Sequence, residues 1–339
     1  MQATSQTAIL EEAQLTAARI FDLISPELLL VEREFERQAS SNIQVIAYIG
    51  DYLRRSGGKR VRPALTILSN YAAGGDGANQ SSIRLATVME FLHTATLVHD
   101  DVIDRAETRR NRPSINAEFG NQTAVLMGDW LYMSAFETSL AERSLPVLDI
   151  LTAVTRKMTE GELLQLMLLG RTDISEEQYF DVIARKTAYL FSACCEIGAL
   201  LSGADGETQN LLRDYGMNLG IAFQLVDDLL DFTGTEEVLG KPAGADLLEG
   251  KVSLPLIFLL QRAPEMRAAI QTVIADANYE TVSRSSLLAA LERTGALALA
   301  HERAIEYAEA ARAALDGLNG SPHAEALRSI PTYIVDRDR

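Results

Sequence analysis

Two short acidic runs carry the residue types from which a cation site could be built. Asp100-Asp101-Val102-Ile103-Asp104 closes an apolar stretch that begins near Val88, and Asp227-Asp228-Leu229-Leu230-Asp231 lies within IAFQLVDDLLDF. On a helix, residues four apart share a face and adjacent residues stand about 100° apart, so each run turns three carboxylates toward one patch. A single patch of this kind is more often a solvated surface. Both runs here are embedded in apolar sequence, where acids held together raise one another's pKa unless cations neutralise them. Carboxylate oxygens suit magnesium, which takes a few protein carboxylates and bridges them to substrate phosphates. Other metal sites fit less well. Neither run has the turn glycine and terminal glutamate of an EF-hand loop, and only Glu90 to His93 gives the Glu-x-x-His spacing that a di-iron bundle needs twice.

Basic residues supply the complementary charge. Gly57-Gly58-Lys59-Arg60-Val61-Arg62-Pro63 places three cations at a glycine turn entering a helix, and Arg109-Arg110 follows the first acidic run. Lys186-Thr187, Lys241 and Lys251 are weak signals one at a time. Each cluster alone reads as a solvated face or a helix cap; beside two magnesium patches, together they imply two anionic substrates. The formal net charge of -16 argues against general affinity for nucleic acid or anionic lipid, so an anionic substrate needs such a local basic site.

The elements that must hold these residues are helical. Apolar residues recur at helical spacing almost throughout, and no stretch alternates long enough to read as a strand. Breaks fall at residues 40–42, 57–58, 74–77, 170–173, 203–206 and around 234–250, leaving room for roughly ten or more helices. None of the breaks has the length or low complexity of a linker, so residues 1–339 are expected to form one all-α domain. With 47% hydrophobic residues the chain can bury a sizeable core. Its two cysteines, Cys194 and Cys195, are adjacent in an apolar run and do not suggest a structural disulfide. No apolar run reaches membrane-spanning length and the amino terminus lacks a targeting pattern. A cytoplasmic protein is expected, with at most weak peripheral contact with a membrane.

Taken in order, GGKRVRP (57–63), FLHTATLVHDDVIDRAETRR (91–110), LMGDWL (126–131), KTAYLF (186–191) and FQLVDDLLDFTGTEEVLGKPAGADLLEGKVSLPL (223–256) resemble the trans-isoprenyl diphosphate synthase, or polyprenyl synthetase, family, and in particular its long-chain octaprenyl and solanesyl types. The resemblance covers nearly the whole chain. It implies an isoprenoid-synthase bundle of mostly antiparallel helices around a central cavity, usually a homodimer. By that likeness Asp100, Asp101, Asp104, Asp227 and Asp231 bind magnesium, about three ions per site, bridging to an allylic diphosphate. Arg109, Lys186, Lys241 and Lys251 contact the same diphosphate, while Lys59, Arg62, His93 and Arg110 hold isopentenyl diphosphate. Thr187 and Gln224 line the reacting end; without the likeness both would read as ordinary core polar groups, and His93 as a satisfied helix histidine.

The implied reaction ionises the allylic diphosphate, adds the double bond of isopentenyl diphosphate to the cation and eliminates a proton. Product length is then expected to depend on what lies below the first acidic run. The fourth and fifth residues before it are Thr96 and Ala95, where a bulky aromatic in the resembling family stops growth. Both are small, and five residues of helix span only about 7.5 Å. The stop is therefore expected deeper, at Leu92, Phe91, or the helix with Met127, Leu131 and Met133. Each buried methylene favours retention of the tail by about 0.8 kcal/mol, and a product of about forty carbons is expected. The alternatives are a shorter-chain farnesyl or geranylgeranyl diphosphate synthase, a class I terpene cyclase, which needs no second diphosphate pocket, and a noncatalytic subunit, which would typically lose one acidic run.

Overall fold

The computed structural model describes residues 17–55, 58, 60–109, 112–234 and 243–336. Its helices run in the order α1 (Ala17–Asp22), α2 (Ser25–Ala39), α3 (Gln44–Arg55), α4 (Val61–Ala72) and α5 (Gln80–Ile103). After a short hairpin come α6 (Ile115–Phe119), α7 (Asn121–Leu140), α8 (Leu145–Leu168), α9 (Glu176–Ile183), a π-helical turn (Ala184–Ala188) and α10 (Tyr189–Leu201). The remainder is α11 (Gly206–Thr233), α12 (Ala245–Leu248), α13 (Leu254–Arg262), α14 (Arg267–Asp276), α15 (Arg284–Thr294), α16 (Ala296–Ala314) and α17 (Pro322–Val335). The all-helical expectation has one small exception. Strands β1 (Thr108–Arg109) and β2 (Arg112–Pro113) pair antiparallel directly after the first acidic run, too short to leave an alternating pattern.

Two long helices carry the acidic runs, and their sequences explain their place. Helix α5 starts where Asn79 accepts a hydrogen bond from the Ser82 amide, and Leu85, Val88, Met89, Phe91, Leu92, Ala95 and Val98 are all buried. A helix apolar on nearly every side is satisfied only in the interior, and α5 packs against α7, α4, α2 and α10. Helix α11 is capped by Asp205, whose side chain accepts from the Thr208 amide, and packs along α10 and α16. One apolar core extends from Ile20 to Ile334. Cys194 and Cys195 sit in it as free buried thiols; burial pushes the Cys195 thiol up to about 12, which keeps it protonated and inert.

Candidate active site

A cavity of about 1230 Å3 opens among α4, α5, α7, α8, the π turn and α11. One stripe of α5 faces it: Glu90, His93, Thr96, Leu97, Asp100, Ile103 and Asp104 lie on the wall at helical spacing. Opposite stand Phe223, Gln224 and Asp227 of α11, with Lys186 and Thr187 of the π turn to the side. Both acidic runs occupy the last turns of their helices, the end at which the helix dipole is already negative. The dipoles therefore add to the carboxylates rather than offset them, and the cavity is built to attract positive charge.

Cations already answer part of that charge. Lys251 Nζ lies 3.0 Å from Asp104 and 2.6 Å from Glu249; burial alone would lower its pKa, but these carboxylates hold it well above the usual lysine range. Lys186 Nζ pairs with Glu162 at 2.9 Å. At Asp100, burial, with Glu162 and Asp104 adding to it against Lys186, pushes the carboxyl up to about 7. Asp101 behaves differently. It is buried and accepts from Arg109 Nε at 2.7 Å, so it ties the hairpin to the end of α5 rather than standing on the cavity wall. Across the cavity, Arg62 lies 5.1 Å above the Phe191 ring. Its neighbour Arg60 takes a left-handed backbone (φ 48) and inserts between Glu32 and Glu90, over the Phe35 ring. That buried pairing ties the start of α4 to α2 and α5.

The π turn is set by close packing on both sides. A side chain at Gly161 of α8 would come within 2.7 Å of Arg185 Cβ and 3.0 Å of the Lys186 amide, and one at Gly220 of α11 within 2.5 Å of Ala188 Cα. Only glycine lets two helices approach the turn this closely, and π turns of this kind recur at functional sites. The turn delivers Thr187, whose hydroxyl donates to Gln224 Oε1 at 2.8 Å. Gln224 Nε2 donates in turn to Asp228 at 2.8 Å, and Tyr179 donates to the other Asp228 oxygen at 2.6 Å. Burial, reinforced by Asp246, pushes the Asp228 carboxyl up to about 7 against these two donors.

Of the residues singled out in the sequence, Arg62, His93, Thr96, Asp100, Asp104, Arg109, Lys186, Thr187, Gln224, Asp227 and Lys251 share the one cavity. Lys59, Arg110 and Lys241 lie outside the described residues. Asp231 is fully buried and accepts from the Asp246 amide at 3.3 Å, holding the start of α12. Phe91, Leu92, Ala95, Met127 and Leu131 are buried in the core and off the wall, because they lie on the faces of α5 and α7 turned from the cavity. The wall on that side consists of Thr96, His99, Val125, Asp129, Tyr132 and Met158. Asp228, read in the sequence as one of three carboxylates sharing a patch, lies off this cavity because it faces the other side of α11 toward Tyr179, and Glu162, His99, Tyr132 and Tyr179 were not anticipated. These four are common residue types at helical positions and become notable only through long-range packing.

Among the described residues no three His, Cys, Asp or Glu side chains form a closed metal cage. Asp100, Asp104 and Asp227 instead turn carboxylate oxygens to shared open space, donors suited to magnesium, which keeps few protein ligands and completes its shell with water and phosphate.

The polyprenyl synthetase family model matches residues 43–291. The octaprenyl diphosphate synthase of Escherichia coli (strain K12) is 40% identical over 322 residues, spanning 95% of this chain and 99% of that one. A polyprenyl synthase from Caulobacter crescentus CB15, solved with calcium and isoprenyl diphosphate, superposes with a TM-score of 0.91 at 36% identity, covering 96% of this chain and 98% of that one. A decaprenyl diphosphate synthase from Rhodobacter capsulatus gives a TM-score of 0.89 at 34% identity, covering 96% of this chain and 100% of that one.

Proposed function

The chain belongs to the polyprenyl synthetase family and is a prenyltransferase, a trans-polyprenyl diphosphate synthase, and from that premise we propose that it is magnesium-dependent and makes an all-trans product of about forty carbons. The observation that carries the reading is the one cavity onto which Asp100 and Asp104 of the first acidic run, Asp227 of the second, Arg62, His93, Lys186 and Lys251 all open. Asp100, Asp104 and Asp227 would hold the magnesium ions, about three per site, with Asp101 and Asp231 supporting them from behind. When bound, the metal supplies positive charge to the diphosphate as it leaves.

The chain's own residues account for the rest. Arg109, Lys186 and Lys251, with Lys241 by family likeness, hold the allylic diphosphate; Arg62 and His93, with Lys59 and Arg110 by the same likeness, hold that of isopentenyl diphosphate. As the allylic carbon–oxygen bond breaks, its electron pair stays with the diphosphate, which these cations stabilise. The double bond of isopentenyl diphosphate attacks the allylic cation, and a proton passes from the new tertiary cation to the departed diphosphate. Thr187 and Gln224 flank the reacting carbons, and the apolar wall of Val125, Met158 and Leu163 keeps water from the cation.

The long product is supported by the likeness to octaprenyl and decaprenyl enzymes and by the small Thr96 on the wall. A homodimer is supported by α7, where Leu126, Met133 and Leu140 are 68%, 63% and 49% exposed at seven-residue spacing, one unpartnered apolar stripe. We read residues 1–339 as a single domain acting in the cytoplasm, with weak membrane contact for product release; among the described residues no helix is long and apolar enough to cross a membrane. The test is an incubation with farnesyl diphosphate and labelled isopentenyl diphosphate, with magnesium or with EDTA, resolving products by length. A magnesium-dependent ladder ending near forty carbons is expected. Termination at twenty carbons, after a single addition, would overturn the long-chain reading, and full activity in EDTA the metal reading.

A further inference from the structure

We propose that Asp228 is a positioning residue: held by Tyr179, it fixes the amide of Gln224 so that the amide oxygen faces Thr187 and the reacting end of the cavity. The inference rests on the prenyl-transfer reading and deepens it by dividing the second acidic run between two tasks. Asp227 lines the large cavity and Asp228 does not. Asp228 lines instead a second cavity of about 150 Å3, together with Tyr179 and Asp246, and Gln224 and Lys186 stand in the wall common to both. Neighbouring acids of one motif thus look out on opposite sides of Gln224.

The hydrogen bonds explain why the direction of that amide matters. Both oxygens of the buried Asp228 receive a donor, the Tyr179 hydroxyl at 2.6 Å and Gln224 Nε2 at 2.8 Å. Once ionised, Asp228 accepts only, and in that state the amide cannot turn over without setting its carbonyl oxygen against a carboxylate oxygen. Gln224 Oε1 is left to accept the Thr187 hydroxyl at 2.8 Å. That bond uses the Thr187 proton, and the pair then offers oxygen lone pairs, the negative ends of two dipoles, at the edge of the cavity. Fixed dipoles of this sign favour an allylic cation and need no reorganisation as it forms. With the amide reversed, an NH2 group would stand there and the Thr187 proton would be freed to point elsewhere. Four side chains from α9, the π turn and α11 therefore act as one chain, in which only the last two reach the reacting carbons.

The test begins with wild-type turnover of farnesyl and isopentenyl diphosphates at saturating magnesium; no turnover there would remove the prenyl-transfer reading itself and leave this inference without its premise. Given turnover, Asp228→Asn and Tyr179→Phe are compared for kcat, for KM of each substrate and for half-saturating magnesium. Asp228→Asn is expected to lower kcat roughly 10- to 100-fold and Tyr179→Phe by a smaller factor, with both KM values and half-saturating magnesium within about twofold. Because Asp228 acts through Gln224, adding Asp228→Asn to Gln224→Leu should lower kcat no further. A tenfold rise in half-saturating magnesium would make Asp228 a metal ligand and overturn the proposal. Unchanged kcat, or additive losses in the double variant, would overturn it as well. Should Asp228→Asn fail to fold, Tyr179→Phe, which keeps the ring packed against Phe180, decides alone by the same readouts.

Discussion

The Asp100 carboxyl titrates at about 7 because burial removes water from it, while its ordinary value is 3.8. The sign of the linkage follows directly. Below 3.8 both folded and unfolded chains hold the proton; between the two values the unfolded chain ionises and the folded chain does not, so stability is lost as pH rises to about 7. Asp228 adds in the same direction. Metal-free protein is therefore expected to melt at lower temperature at pH 7.5 than at pH 5. Magnesium with inorganic pyrophosphate should raise the melting temperature more at pH 7.5 than at pH 5, since cations bind the ionised form. Thermal melts over a pH series, with and without those ligands, check this; a metal-free melting temperature that climbed from pH 5 to 7.5 would contradict it.

At the scale of the element, α5 presents only one edge to the cavity. Thr96 lies on the cavity stripe and Ala95 is fully buried behind it, although the two are neighbours in sequence. Thr96→Phe is expected to shorten the product by several isoprene units. Ala95→Phe should act mainly as overpacking, lowering stability by about 1–3 kcal/mol. Product profiles and melting temperatures of the two variants separate these effects; equal shortening by both would show that the tail runs between α5 and its neighbours instead. Much of this architecture was legible in advance. The glycine and serine breaks at 40–42, 74–77 and 203–206 fall between helices, and the acidic runs end helices as their apolar approaches imply. The facing of α5 was not legible, because a helix buried on every side has no polar face to mark its orientation. Nor was the π turn, since Ala184–Ala188 differs from α-helix only in a register that the packing of Gly161 and Gly220 imposes. Asp101 and Arg109 were both singled out, yet their mutual pairing depends on a hairpin of two-residue strands that leaves no periodic signal.

For the molecule as a whole, the apolar stripe of α7 sets the expected assembly. Replacing both Leu126 and Met133 by Glu puts two charges on that stripe without touching the cavity wall, and should convert a dimer to a monomer. Sedimentation of the variant beside the wild type checks it, and an unchanged sedimentation coefficient would place any dimer contact elsewhere. The cavity itself draws its walls from Gly58 through Lys251, three-quarters of the way along the chain. This spread has a consequence in time. While the chain is being made from its amino end, the first acidic run emerges well before the second, and for that interval the wall it will share with Asp227 is missing. The cavity is complete only once α11 and the segment bearing Lys251 have been synthesised and have docked.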